Sequence, residues 1–263
     1  MNIIVCVKRV PDTTGADVKI AKGGHRIKEE GLVFDTNDWD KYAINEAVRL
    51  KEDYGGEVTA IALGPEEVED TLRRCFVTGC DEGIRLTDPA FEGSDATAVA
   101  RTLHSVIKDK PFDLILTGAQ AGDDGYGQVG PALARLLGIP HAILVTKVDI
   151  IDGKAKVHRE LEGGLEEVVE LKLPALLTIQ TGINEPRYVS IKAVIKMMQK
   201  EVKSLNLDAL GMKRAEVGKA GSKTRIDRLS LPPSTKKMEK LPSEPQSAAA
   251  RLIEIIKDEG MLA

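Results

Sequence analysis

The stretch Gly118–Leu137, GAQAGDDGYGQVGPALARLL, carries the residue types best suited to chemistry in this chain. It is a glycine-rich run with two adjacent acids, followed at once by helical periodicity, with Val129, Leu133 and Leu136 or Leu137 on one stripe. A helix N-terminus exposes unpaired N–H groups and about half a positive charge, which suits a phosphate. Gly125, Gly127 and Gly130 let the backbone come close to one, and Pro131 costs nothing in a first turn. Asp123 and Asp124 complicate this, because carboxylates repel phosphate. They could accept from ribose hydroxyls, cap the loop or help hold a cation. No Lys-Ser/Thr follows the glycines, so this is not a P-loop, and nucleotide hydrolysis is not supported. The other reading of the loop is that its glycines serve only turns.

No second constellation competes. His25, His104, His141 and His158 are scattered without metal spacing, and no Gly-x-Ser-x-Gly elbow is present. Cys6, Cys75 and Cys80 are odd in number and read as reduced thiols, as in a cytoplasm. A net charge of −4 with 3% aromatic residues argues against a nucleic-acid partner. No apolar run approaches the roughly 20 residues that span a bilayer. The opening MNIIVCVKRVPD reads as a first strand rather than a signal peptide.

The loop must be positioned by the elements around it. NIIVCVK, EVTAIAL, EGIRL, DLILTG and ALLTIQ are short apolar runs of buried-strand type. Helical stripes lie between them: Ala43, Ala47 and Leu50 after Asn37/Asp38; Val68, Leu72, Cys75 and Phe76 after GPEE; Ala96, Val99, Leu103 and Val106 after Ser94. This alternation predicts a doubly wound α/β fold with a mainly parallel sheet, and its ligand crevice lies beyond the strands' carboxyl ends. Residues 16–35 and 145–172 read as hairpin inserts, the second with turns at Asp152-Gly153 and Gly163-Gly164. The domain is expected over residues 1–204, and residues 205–263 read as a polar arm ending in an amphipathic helix. Such an arm wraps a partner subunit or packs on its own domain. On the wrapping reading, deleting everything after Leu205 leaves the α/β domain folded.

Several stretches together resemble the β subunit of electron-transfer flavoproteins. VCVKRVPDT resembles that subunit's first strand and loop, AINEAVRLKE its first helix, and GAQAGDDGYGQVGP its nucleotide loop. VHRELEGGLEEVVELKLPALLT resembles the family signature, and NEPRYVSI follows it. The resemblance covers about residues 1–200, and the arm matches in character. It implies the adenine-nucleotide-binding type of doubly wound fold and a heterodimer with an α subunit that makes most contacts to a redox-active FAD. It implies an electron carrier rather than a stand-alone enzyme, serving an acyl-CoA dehydrogenase-type partner and associating with a membrane quinone oxidoreductase.

Carried over by position, AMP or the ADP half of a second FAD would touch Cys6, the helix start at Asn37, Asp38, Trp39 and Asp40, and Leu63. The loop would contribute Gly118, Ala119, Gln120, Asp123, Asp124, Gly125, Tyr126, Gly127, Gln128, Val129 and Gly130, with the N–H groups of Gly127, Gln128 and Val129 meeting phosphate. Within a recognition loop at about 179–201, Ile191 would anchor the dehydrogenase, flanked by Lys192, Lys196, Lys200 and Lys203. DTNDWD departs from the usual Asn-Pro start, whereas VPDT and QVGP look more like electron-bifurcating, NADH-oxidising members with FAD in this subunit. A non-redox adenine-nucleotide module is the third reading, opposed by the signature from Arg159 to Pro174 and by the arm.

Overall fold

Nine strands form one sheet in the computed structural model, in the order β11-β5-β4-β1-β6-β10-β7-β8-β9. The structure describes residues 1–185, 187, 200–232 and 238–261. The strands are β1 (Asn2–Val7), β4 (Glu57–Leu63), β5 (Glu82–Leu86), β6 (Leu114–Gly118), β7 (His141–Ile151), β8 (Lys154–Leu161), β9 (Leu165–Lys172), β10 (Ala175–Ile179) and β11 (Lys203–Leu205). Pairing is parallel from β11 through to β7 and antiparallel for β7–β8 and β8–β9. The central strands are apolar on both faces because helices cover both. The helices are α1 (Asp38–Tyr54), α2 (Val68–Thr78), α3 (Ala96–Ile107) and α4 (Val129–Leu137). Ile3, Val5 and Leu116 pack with Ala43, Ala47 and Leu72 from α1 and α2. Ile4, Cys6 and Ile115 pack with Leu103 and Leu133 from α3 and α4. Each fully buried Ile or Leu contributes ~1.5–3 kcal/mol relative to exposure.

β1 is the strand from which the chain turns both ways. The connections through α1 and α2 carry it outward to β4 and β5, and α3 brings it back to β6 on β1's other side. The carboxyl ends of β1 and β6 therefore flank the reversal point of strand order, where this class of sheet opens a crevice. The expected loop leaves β6 at that place.

Four details differ from the sequence-based expectation. The first insert is wider than 16–35: β2 (Arg9–Asp12), before that span, pairs with β3 (Val33–Thr36) at its end, and between them there is only an isolated bridge, Ile20 to Ile27. Its interior is polar and half-exposed to exposed throughout, so little apolar surface is there to hold a ladder. The segment 145–172 pairs in antiparallel hairpins with the expected turns at Asp152-Gly153 and Gly163-Gly164, but it is not a separate insert: β7 pairs with β10, and β7–β9 extend the main sheet, with Ala142, Val145 and Val148 buried against the core. Helix α3 buries Ala100, Leu103 and Ile107; of the expected stripe Leu103 is thus buried and Val99 and Val106 pack half-buried on the same core, while the cap is not Ser94 but Asp95, which accepts the Ala98 N–H at 2.9 Å.

The fourth concerns the boundary at 204/205. A first compact unit runs from Met1 to Asp227. β11 is its edge strand, and Leu207 and Val217 lie within the α3/α4 core. A short helical turn, Gly218–Gly221, leads into Lys223 and Thr224, whose N–H groups reach Asp95 at 2.7 and 2.8 Å. The low periodicity after Lys200 therefore marks irregular backbone, not the end of packing. The second unit, Arg228–Ala263, holds α5 (Pro245–Asp258), which starts on a Glu244 cap and has no buried residue. Among the described residues, no helix is long and apolar enough to cross a membrane.

Candidate functional site

Four backbone ends meet at the reversal point, where this class of sheet opens its crevice: the exit of β1, the start of α1, the exit of β6 and the start of α4. Asp40, in the first turn of α1, ties the first three together. It is buried, yet Oδ2 accepts the Lys8 N–H at 2.7 Å and Oδ1 accepts the Gly118 N–H at 3.0 Å. One carboxylate thus pins the two strand ends between which the crevice opens. Burial pushes the Asp40 carboxyl up to about 7, against the opposing pull of the Lys8 N–H, the Asn37 side chain and the Gly118 N–H. Cys6 is the last residue but one of β1; burial first, and the Asp40 charge second, push its thiol up to about 12, so it is an apolar wall and not a nucleophile.

An ordinary Asp titrates near 3.9, so between about pH 4 and pH 7 the folded chain holds a proton that the unfolded chain has lost. The Asp40 contribution to stability therefore falls as pH rises through that window and is level above it. The carboxyl carbon resonance of Asp40 in carbon-13-labelled protein should move with a midpoint near pH 7. A midpoint near 4 would show that the two backbone donors outweigh burial.

Asn37 serves the loop rather than the helix. Although it stands at the N-cap position of α1, its side chain makes no cap bond. Instead Nδ2 donates to the Gln120 carbonyl at 2.8 Å and Oδ1 accepts the Gly122 N–H at 3.0 Å. This buried amide fixes the loop's first turn onto α1, and losing such paired bonds costs ~1–3 kcal/mol for each buried group left unmatched. The Ala119 N–H continues the β6 pairing by donating to Ile179 O at 2.9 Å. Trp39 Nε1 donates to Gln180 Oε1 at 2.8 Å, and Gln180 Nε2 to Glu160 Oε2 at 2.8 Å, linking the start of α1 to the exits of β10 and β8.

The loop then turns into α4. Gly127 has φ +60°, the left-handed region, and an added Cβ would sit 3.2 Å from the Ala119 carbonyl oxygen. Among the described residues, the N–H groups of Gly127, Gln128 and Val129 have no acceptor. Three successive free donors at a helix start, at the reversal point of the sheet, match a phosphate in charge and hydrogen-bonding capacity. Gly130 does something else than expected: an added Cβ would stand 2.6 Å from Thr178 Cγ2 and 2.9 Å from Thr117 Oγ1. Its missing side chain lets α4 sit on β6 and β10, so it serves packing rather than close approach to phosphate. Of the stripe on α4, Leu133 is buried, Leu137 is half-buried and Leu136 is exposed.

Asp123 and Asp124 are held by a residue that the sequence reading did not single out. Lys8 Nζ lies 2.6 Å from Asp123 and 2.9 Å from Asp124. Asp124 also accepts the Tyr126 N–H at 3.1 Å, an Asx-type cap inside the loop. Burial alone would lower the Lys8 pKa, but the hydrogen bonds and charges of the two aspartates raise it, so the ammonium is firmly protonated. The signal that could have found Lys8 is its place: a lysine at the exit of the first strand, facing a loop with two acids.

Among the remaining expected residues, Leu63 ends β4, next to β1, and is half-buried. The Asp38 carboxylate turns outward to Lys41 at 2.8 Å, outside this network. Tyr126 is 57% exposed, Gly125 and Gln128 are also exposed, and none of them touches the buried pins. Ile191 lies outside the described residues.

Comparison with known proteins accords with this fold. Residues 25–210 match the model of the electron transfer flavoprotein domain. The chain is similar to electron transfer flavoprotein subunit beta of Methylophilus methylotrophus, 36% identical over 262 residues, covering 98% of each chain. It is similar to the same subunit of Thermoanaerobacterium thermosaccharolyticum, 39% identical over 255 residues and 97% of each. It is also 37% identical, over 236 residues and 89% of each chain, to the caffeyl-CoA reductase–Etf complex subunit CarD of Acetobacterium woodii.

Proposed function

The chain belongs to the electron transfer flavoprotein β-subunit family, and we propose that its crevice holds the adenosine-phosphate end of a nucleotide while an α subunit makes most contacts to a redox-active FAD. β subunits of this family pair with an α subunit and serve electron transfer. The observation that carries the reading is the row of unpaired N–H groups at Gly127, Gln128 and Val129, at the start of the helix that follows β6 beside the reversal point of the sheet.

On this reading each residue binds or positions and none reacts. The three N–H groups meet phosphate. Asn37 sets the loop, Asp40 sets the width between the ends of β1 and β6, and Cys6 and Leu63 are apolar surface for the base. AMP and the ADP half of FAD present the same adenosine and first phosphate, so both fit these donors. FAD supplies the capacity to take up electrons singly or in pairs. With the resident flavin in the α subunit, the protein carries electrons from an acyl-CoA dehydrogenase-type partner to a downstream acceptor, with association with a membrane quinone oxidoreductase as one route. This chain then contributes structure to the carrier, and the segment Arg228–Ala263 contributes contact to α.

The similarity to an Etf subunit of a caffeyl-CoA reductase complex, with VPDT and QVGP, favours a second reading. In it this subunit holds a second FAD and the complex bifurcates the electron pair of NADH. Nucleotides released by denaturing the purified heterodimer separate the two. One FAD and one AMP per heterodimer is the expected composition of the carrier, two FAD that of the bifurcating form. Finding neither AMP nor a second FAD would remove the nucleotide reading.

A further inference from the structure

We infer that Lys8 is a positioning residue of the nucleotide site, holding Asp123 and Asp124 so that the loop can present its N–H groups to a phosphate. The inference rests on the nucleotide reading of the loop and adds to it a residue that touches no ligand.

The loop between β6 and α4 carries two adjacent carboxylates within a few residues of the donors at Gly127–Val129. Unpaired, they would oppose a phosphate dianion entering the same crevice. Their backbone lies in a turn closed by the Gly125 N–H on the Ala121 carbonyl at 2.8 Å, but the Asn37 side chain fastens only Gln120 and Gly122 and reaches neither carboxylate. Lys8 answers both needs. Its ammonium bridges one oxygen of each aspartate, at 2.6 and 2.9 Å, which cancels one of the two charges and draws both carboxylates toward the exit of β1. Its own backbone is fixed, since the Lys8 N–H is bound by the buried Asp40 at 2.7 Å. Asp124 keeps its second oxygen on the Tyr126 N–H, immediately before Gly127. The chain of contacts therefore runs from the core through Asp40, Lys8 and Asp124 to the first phosphate donor.

These side chains are 40%, 29% and 39% exposed for Lys8, Asp123 and Asp124, so the pair energy itself is screened and modest. The effect is one of charge near a ligand and depends on salt. It is also specific to phosphate, which a merely structural role would not be.

The test uses the full heterodimer, stripped of nucleotide, with AMP and adenosine as probes in titration calorimetry. Lys8→Met should weaken AMP on the order of 10-fold at low salt, less at high salt, and leave adenosine within about 3-fold. Adding Asp123→Asn and Asp124→Asn to Lys8→Met should restore AMP binding. Lys8→Arg, which keeps a positive charge within reach of both aspartates, should bind AMP within about 3-fold of the native complex, which a fold-dependent loss at position 8 would not allow. Full AMP affinity in Lys8→Met, equal losses for AMP and adenosine, or no rescue by the Asn pair would each overturn the role of Lys8. A native complex that binds AMP no better than its Gly127→Val counterpart would instead overturn the nucleotide reading, and this inference with it.

Discussion

Gly127→Val should purify as a heterodimer whose β subunit is empty of nucleotide. Gly127 sits at φ +60°, where a β-branched residue is strained by ~1–2 kcal/mol, and its Cβ would press on the Ala119 carbonyl oxygen at 3.2 Å. The chain would relieve this by leaving the left-handed region, which turns the N–H groups of Gly127 and Gln128 away from the crevice. Each charge-assisted bond to phosphate is worth ~1.5–3 kcal/mol, so losing two costs ~3–6 kcal/mol. That is at least ~100-fold in affinity. The measurement is nucleotide released per heterodimer, beside the melting temperature of the same sample. Melting should fall with the loss of ligand, since only the folded state binds it. Full occupancy would separate the loop from the phosphate. Gly138→Ala, on a left-handed cap at the far end of α4, controls for strain: it should lower melting and leave occupancy unchanged.

Two truncations should differ sharply. Ending the chain after Asp227 removes the second unit, in which no described residue is buried. The first unit should then melt within a few degrees of the full chain, with weakened co-purification of α. Ending it after Leu205 removes Leu207 and Val217 from the α3/α4 core, worth ~3–6 kcal/mol together. It also strips the Lys223 and Thr224 N–H groups from Asp95, the cap of α3. Set against a typical total of ~5–15 kcal/mol, this chain should lose ~10 °C or more in melting temperature, or not fold. Equal melting of the two truncations would mean that residues 206–227 contribute nothing. Undiminished association with α after removal of 228–263 would count against the arm as a wrapping segment.

What could be read from the sequence is what repeats. Val and Ile in short runs, alternating with 3.6-period stripes, report parallel strands and crossover helices, and from these the reversal point follows as a region. The glycine run before Val129 reports a loop entering a helix. Side-chain partners far apart in the chain are not legible in this way. Nothing near Lys8 announces that its partners lie 115 and 116 residues away, or that Asp40 would take the Gly118 N–H across 78. Asn37 looks like an ordinary helix cap in sequence and becomes a loop fastener only in three dimensions, because Gln120 and Gly122 come within reach. Gly130 reads like its neighbours, yet the reason it lacks a side chain is the pair of threonines on β6 and β10. The segment 203–227 misleads for the opposite reason. It buries two apolar residues with no period between them, which packing uses and periodicity does not register.

On the proposed reading, the N–H groups of Gly127, Gln128 and Val129 hold a nucleotide phosphate. A crystal structure of the heterodimer with its native nucleotide tests it most directly. Phosphate oxygens should lie at about 2.7–3.2 Å from at least two of these nitrogens, with adenosine running between the ends of β1 and β6 toward Leu63. A phosphate bound elsewhere, with these three N–H groups facing water or the α subunit, would contradict it.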